Sequence, residues 1–153
     1  MKLNNTIIFL GLAALLVFGA RPVNGIGAIK KEKKISVYSS DGKTNIAHLQ
    51  NKSGVYLIYN GSQLRYIGMS GSNLYKTITR HFQSWTDHQE RVTYPQSTNY
   101  KVRIVTCTPA QAAKLERALI VKHKPVDNPN KYEQYILKLD DKNIIEQYEE
   151  APF

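Results

Sequence analysis

The chain holds a single cysteine, Cys107, in 153 residues, which excludes an intramolecular disulfide and any metal site built from several thiolates. Its setting, Val102-Arg103-Ile104-Val105-Thr106-Cys107, predicts a strand, where a lone thiol serves as a small apolar residue. There is little room for a second domain: 153 residues at 42% hydrophobic suffice for one core with appendages. A comfortable membrane span of about 20 apolar residues is also lacking. The run Thr6–Ala20 is free of charge but only 15 residues long, the length of a signal-peptide apolar region. Lys2 is the only basic side chain before it, whereas Lys30, Lys31, Lys33 and Lys34 follow it. Basic flanks stay cytoplasmic, so the charge favours a membrane tether with the domain on the cytoplasmic side. The length favours the alternative, export with cleavage after Gly25.

Acidic residues are scarce, 12 Asp plus Glu against 21 Lys plus Arg, for a net charge of +9. The excess is concentrated: residues 51–131 carry 12 basic and 4 acidic side chains, whereas residues 132–153 carry 2 and 6. A basic domain with an acidic tail fits a polyanionic partner such as DNA, since Lys and Arg near phosphates release condensed counterions. No separate DNA-reading segment such as a zinc finger is visible.

The chain is organised around Ser53–Gly68. Two runs rich in Val, Ile and Tyr, Gly54–Tyr59 and Leu64–Ile67, flank Asn60-Gly61-Ser62-Gln63, and Asn-Gly between apolar runs is a strong hairpin signal. Pairing brings Tyr56 and Tyr66 together, each beside a glycine, Gly54 and Gly68, that lets the backbone bend or a ligand approach. Upstream, Ile35–Tyr38 and Thr44–Leu49 around Asp41-Gly42 predict a second hairpin as an annex. Downstream, Leu74, Ile78, Phe82 and Trp85 form one apolar stripe, predicting a helix over Asn73–Trp85 capped by Ser72 or Asn73. His81 lies at the edge of the stripe, Thr77 one turn back, and Arg80 about 60° round the helix from Thr77.

Thr86–Asn99 is polar and aperiodic, which predicts a loop or short helix. Lys101–Cys107 predicts a third strand. Thr108-Pro109-Ala110-Gln111 carries a cap, a first-turn proline and a capping-box Gln, so a helix starts there and runs to His123 before Pro125. Within it, Glu116 lies among Ala112, Ala113, Leu119 and Ile120. A carboxylate on an apolar face is paired to a Lys or Arg, protonated, or bound to a metal. Asp127-Asn128-Pro129-Asn130 is a turn cluster, and Tyr135–Leu139 and Ile144–Tyr148 predict a further hairpin or an edge strand with a helix.

Gly54-Val55-Tyr56 followed by Tyr66-Ile67-Gly68 resembles the signature of the GIY-YIG nuclease superfamily. The order of helix, strand, helix with an apolar-face Glu, and Asn extends the resemblance from Ser53 to Lys131. That resemblance implies an α/β (α+β sandwich) fold, with a small three-stranded antiparallel sheet flanked by helices. Together with the charge and hydropathy of the flanks, it divides the chain into an apolar segment 1–29, a basic linker and short hairpin 30–52, a nuclease-like domain 53–131 and an acidic extension 132–153. The family includes homing endonucleases, restriction enzymes and the incision subunit of bacterial excision repair. By position, Tyr56 and Tyr66 match the motif tyrosines, Glu116 the metal-binding Glu, and Asn128 the Asn after the last helix. The family's catalytic Arg, four residues before a His-Phe pair, is here Thr77, and Arg80 is the nearest cation to replace it.

The implied activity is metal-dependent hydrolysis of DNA phosphodiester bonds. Tyr56 would be the base, directly with its pKa lowered by a cation or relayed through His81; Tyr66 would orient water or phosphate, and Mg²⁺ or Mn²⁺ would sit on Glu116. Gly54, Gly68 and Asn128 would support the site. The alternative is a membrane-tethered nucleic-acid-binding module that keeps the fold and has little or no cleavage.

Overall fold

Antiparallel pairing runs from Gly54↔Ser70 to Asn60↔Gln63 in the central hairpin, with an irregularity between Ile58 and Tyr59. Gly61 turns the chain at φ 59°, a left-handed conformation that suits glycine. The computed structural model describes residues 30–31, 33–85 and 91–136. The apolar run 6–20, residues 86–90 and the predicted elements beyond Ile136 lie outside them. The strands are β1 (Lys30–Lys31), β2 (Ile35–Ser36), β3 (Gly54–Asn60), β4 (Gln63–Ser70) and β5 (Tyr100–Thr106); the helices are α1 (Leu74–Thr79), α2 (Pro109–His123) and α3 (Pro129–Ile136). β5 pairs antiparallel with β3 on one side and with β1 and β2 on the other.

The expected three-stranded core is therefore present as β4-β3-β5, with two short strands added at its β5 edge. Alternation along β3 sends Val55 and Leu57 to one face and Tyr56 and Ile58 to the other, all buried. Val55, Leu57 and Ile67 pack with Ala112, Ala118, Leu119 and Ile120 of α2. On the opposite face Tyr56, Ile58, Val102 and Ile104 pack with Leu74 and Ile78 of α1, Phe82, and Val37, Ile46 and Leu49 from the N-terminal side. The result is a helix–sheet–helix sandwich, which confirms the fold class.

Four expectations need correction. The segment 30–52 is no mere linker, since β1 and β2 extend the sheet. Its hairpin shrinks to one bridge, Tyr38↔Thr44, after which Ala47–Leu49 forms a 3₁₀ turn that buries Leu49, because Ile35–Ser36 pairs with β5 instead. The first helix stops at Thr79 and tightens into a 3₁₀ turn at Arg80–Phe82; Thr77 and Thr79 hydroxyls donate to the carbonyls of Asn73 and Tyr75, and the β-branched run Thr77-Ile78-Thr79 disfavours continuation. The segment after Asn128 forms a helix, α3, which crosses the expected boundary at Lys131. By contrast α2 follows the reading closely: Thr108 and Gln111 form a reciprocal capping box, and Lys124 closes the helix in the left-handed region.

Candidate active site

Tyr56 faces Gly68 across the hairpin register, and its ring lies over the Gly68 Cα, so that a Cβ there would collide with the Tyr56 ring and hydroxyl. Glycine at 68 is what lets the Tyr56 side chain cross β4. Gly54 is required for another reason: a Cβ there would strike the Val105 carbonyl of β5. Past Gly68, the Tyr56 hydroxyl reaches His81 Nε2 at 2.9 Å. The other imidazole nitrogen, Nδ1, lies 2.7 Å from the Val92 carbonyl. A carbonyl only accepts, so Nδ1 carries a proton and donates; in the neutral ring Nε2 then accepts from the Tyr56 hydroxyl. Tyr66 stacks beside Tyr56, with ring centroids 6.2 Å apart, and lies tilted against His81 at 4.6 Å.

Burial sets the protonation of this group. It pushes the Tyr56 phenol well above its ordinary value, with Tyr66, Glu116 and Tyr94 adding to the effect, and it raises Tyr66 as well. In the free chain the direction is the reverse of the lowering expected from a nearby cation, because the ring is only 2% exposed and desolvation dominates. His81 moves the other way: burial lowers its pKa, the Val92 carbonyl partly opposes this, and the Lys131 charge adds to the lowering. The imidazole is thus neutral at neutral pH.

Glu116, on the buried side of α2, is 5% exposed. Its Oε1 accepts from Lys131 Nζ at 2.7 Å and its Oε2 from the Tyr135 hydroxyl at 3.4 Å. Burial alone would lower the Lys131 pKa, and the hydrogen bond and charge of Glu116 more than reverse this. Tyr56, Tyr66, Thr77, Arg80, His81, Glu116 and Lys131 all line one cleft of about 630 Å³. The predicted residues therefore converge, and Arg80 opens onto the same space as Thr77. Of the supporting residues, Gly68 lines the cleft, whereas Gly54 and Asn128 do not. Asn128 is buried and takes both backbone groups of Ile67: Ile67 N–H donates to Oδ1 at 2.8 Å and Nδ2 donates to the Ile67 carbonyl at 2.9 Å. With Asp127 N–H on the Arg65 carbonyl at 2.8 Å, it closes the outer edge of β4 much as another strand would.

Sequence reasoning missed two contributors. Lys131 follows the Asn128-Pro129 turn, and a helix that reverses there must return along α2 towards Glu116; the turn was the available signal. Tyr94 is buried and donates to Asp127 Oδ2 at 2.8 Å, while its N–H donates to the His81 carbonyl. Asp127 also holds Arg65 through two contacts of 2.9 Å. That network pins the extended segment whose Val92 carbonyl fixes the His81 tautomer, and no local pattern announces it. Among the described residues no group of three His, Cys, Asp or Glu converges as a ready-made metal cluster, and no helix is long and apolar enough to cross a membrane.

No protein-family model matches the chain, and no solved structure matches it. Over 86 residues, 56% of the chain, the sequence is 36% identical to UvrABC system protein C of Thermosipho africanus (strain TCF52B). The chain spans 15% of that protein's length.

Proposed function

We propose that this chain is a metal-dependent endonuclease of the GIY-YIG type that hydrolyses DNA phosphodiester bonds. The observation that carries the reading is the Tyr56–His81–Val92 chain of hydrogen bonds, set in one cleft with Tyr66, Arg80 and Glu116. The similarity to UvrABC system protein C and the basic charge of residues 51–131 support DNA as the substrate.

Glu116, a buried carboxylate that lines the cleft, would hold a hard divalent ion such as Mg²⁺ or Mn²⁺. Bound there, the ion would supply neutralisation of phosphoryl charge and of the leaving oxygen. The protein's own residues supply the rest. Because the Tyr56 phenol is raised and His81 is neutral, the net base is the imidazole: Tyr56 takes a proton from water as its own proton passes to Nε2. Tyr66 orients the water or the phosphate, and Arg80 faces the developing negative charge.

A second reading, a nucleic-acid-binding module without cleavage, is favoured by Thr77 in the place of the family's Arg. Incubating the full chain with supercoiled plasmid and Mg²⁺ or Mn²⁺ separates the two. Relaxed or linear product that disappears in Glu116→Gln and in Tyr56→Phe supports the enzyme; retention of plasmid with no cutting in either metal supports the binding module.

A further inference from the structure

The proposed metal ligand already has a cation on it. Lys131 reaches Glu116 from α3 at 2.7 Å, and the two side chains differ sharply in exposure, 42% for Lys131 against 7% for Glu116. The carboxylate is fixed by α2 and the core, whereas the lysine enters from the solvent side on a long flexible stem. Both face the cleft that holds Tyr66 and Arg80. A divalent ion on Glu116 and an ammonium on the same carboxylate repel each other, and the ammonium has room to leave.

Resting on the nuclease reading, we propose that Lys131 is a tethered counter-ion that occupies Glu116 in the free protein. It gives the carboxylate up to the divalent ion and then turns to a substrate phosphate. One residue would thereby satisfy a buried carboxylate before substrate arrives and add a phosphate contact afterwards. The pair needs no other group to exchange, because ammonium and phosphate are as complementary as ammonium and carboxylate. The apparent metal affinity is then reduced by the fraction of carboxylate that Lys131 holds.

Mn²⁺ binding to the full-length chain, measured by titration calorimetry without DNA, tests the exchange. Lys131→Met keeps the stem and removes the charge, so it should bind Mn²⁺ about tenfold more tightly than the unmodified chain. Lys131→Arg should bind like the unmodified chain, and Lys131→Met with Glu116→Gln should lose the gain. Melting curves establish that each variant is folded, and the Arg variant keeps the test sharp if Met unfolds, since loosened packing without charge loss would not follow this order. In Ca²⁺, Lys131→Met should bind a short DNA duplex with a salt slope smaller by about one phosphate contact. Equal, Glu116-dependent Mn²⁺ affinity in the unmodified and Met chains would overturn the exchange and leave the nuclease reading standing. An unchanged salt slope would overturn the phosphate contact. Absence of Glu116-dependent Mn²⁺ binding in every folded variant would instead remove the metal assignment itself.

Discussion

The Tyr56 hydroxyl donates to His81 Nε2 at 2.9 Å while the opposite ring nitrogen of His81 is held by the Val92 carbonyl. A tyrosine whose phenol is buried beside a neutral imidazole with one fixed tautomer is arranged to lose its proton in one direction only.

The pH dependence follows from burial. Because desolvation lowers the His81 pKa, the folded chain binds fewer protons there than the unfolded chain near the ordinary value of about 6.5. Stability from this group is present above that value and is lost as pH falls towards the folded pKa. On the proposed mechanism the neutral ring is the active one and is lost in the same direction, so the acid limb of kcat/KM should have its midpoint below about 6.5. His81→Ala should lower the rate by about 10²–10⁴ and abolish this limb. A midpoint above the ordinary histidine value would count against His81 as the proton acceptor.

Asn128 should matter to stability more than to chemistry. Asn128→Ala leaves the buried N–H and carbonyl of Ile67 without the partners seen at 2.8 and 2.9 Å, a loss of roughly 2–4 kcal/mol. Asn128→Asp should be no better, since it replaces the Nδ2 donor by an oxygen facing the Ile67 carbonyl. Denaturant unfolding followed by circular dichroism gives both values; a change below about 0.5 kcal/mol would show that water replaces the side chain at this edge.

How much of this was legible depended on the range of the interaction. The central hairpin and the start of α2 are written in adjacent residues, Asn60-Gly61 and Thr108 with Gln111, and the structure follows them. The convergence of Tyr56, Tyr66, His81 and Glu116 was legible only through the family resemblance, because no local period relates a strand to a helix 60 residues away. The end of α1 at Thr79 was hidden because the stripe of Leu74, Ile78 and Phe82 is kept by the 3₁₀ turn. The reason for Gly54 was misread: the approach it permits is that of the β5 backbone, and nothing near residue 54 in sequence reveals it. Lys131 on Glu116 and Tyr94 on Asp127 depend on chain reversals whose geometry is fixed by tertiary packing.

If the proposed function holds, Glu116 serves metal binding and not DNA binding. Glu116→Gln keeps the shape of the side chain, removes its charge and contributes no positive charge to lose. Cleavage should therefore fall below detection while duplex affinity is retained or improved, since Lys131 is released from its pair at 2.7 Å and is free to meet phosphate. A plasmid assay run beside a gel-shift titration reads both quantities. A variant that cuts at the unmodified rate would place the metal elsewhere or make it unnecessary.

The proposed cleavage is tested most directly at Thr77 and Arg80. Thr77 is half-buried, with its hydroxyl near Ser70 Oγ and the Asn73 carbonyl, each at 3.0 Å, whereas Arg80 is exposed at the start of the 3₁₀ turn and lines the same cleft. Arg65, a cation on β4, is committed to Asp127 by two contacts, which leaves Arg80 better placed to face a phosphate. Removing one preorganised charge at a developing oxyanion costs about a hundredfold or more in rate, so Arg80→Ala should slow single-turnover cleavage by that factor and weaken duplex binding only slightly. Thr77→Arg in the Arg80→Ala background should restore part of the rate, because a guanidinium one turn earlier opens onto the same space. Cutting that is unchanged in Arg80→Ala would assign the charge to another cation of the cleft, Lys131 first among them.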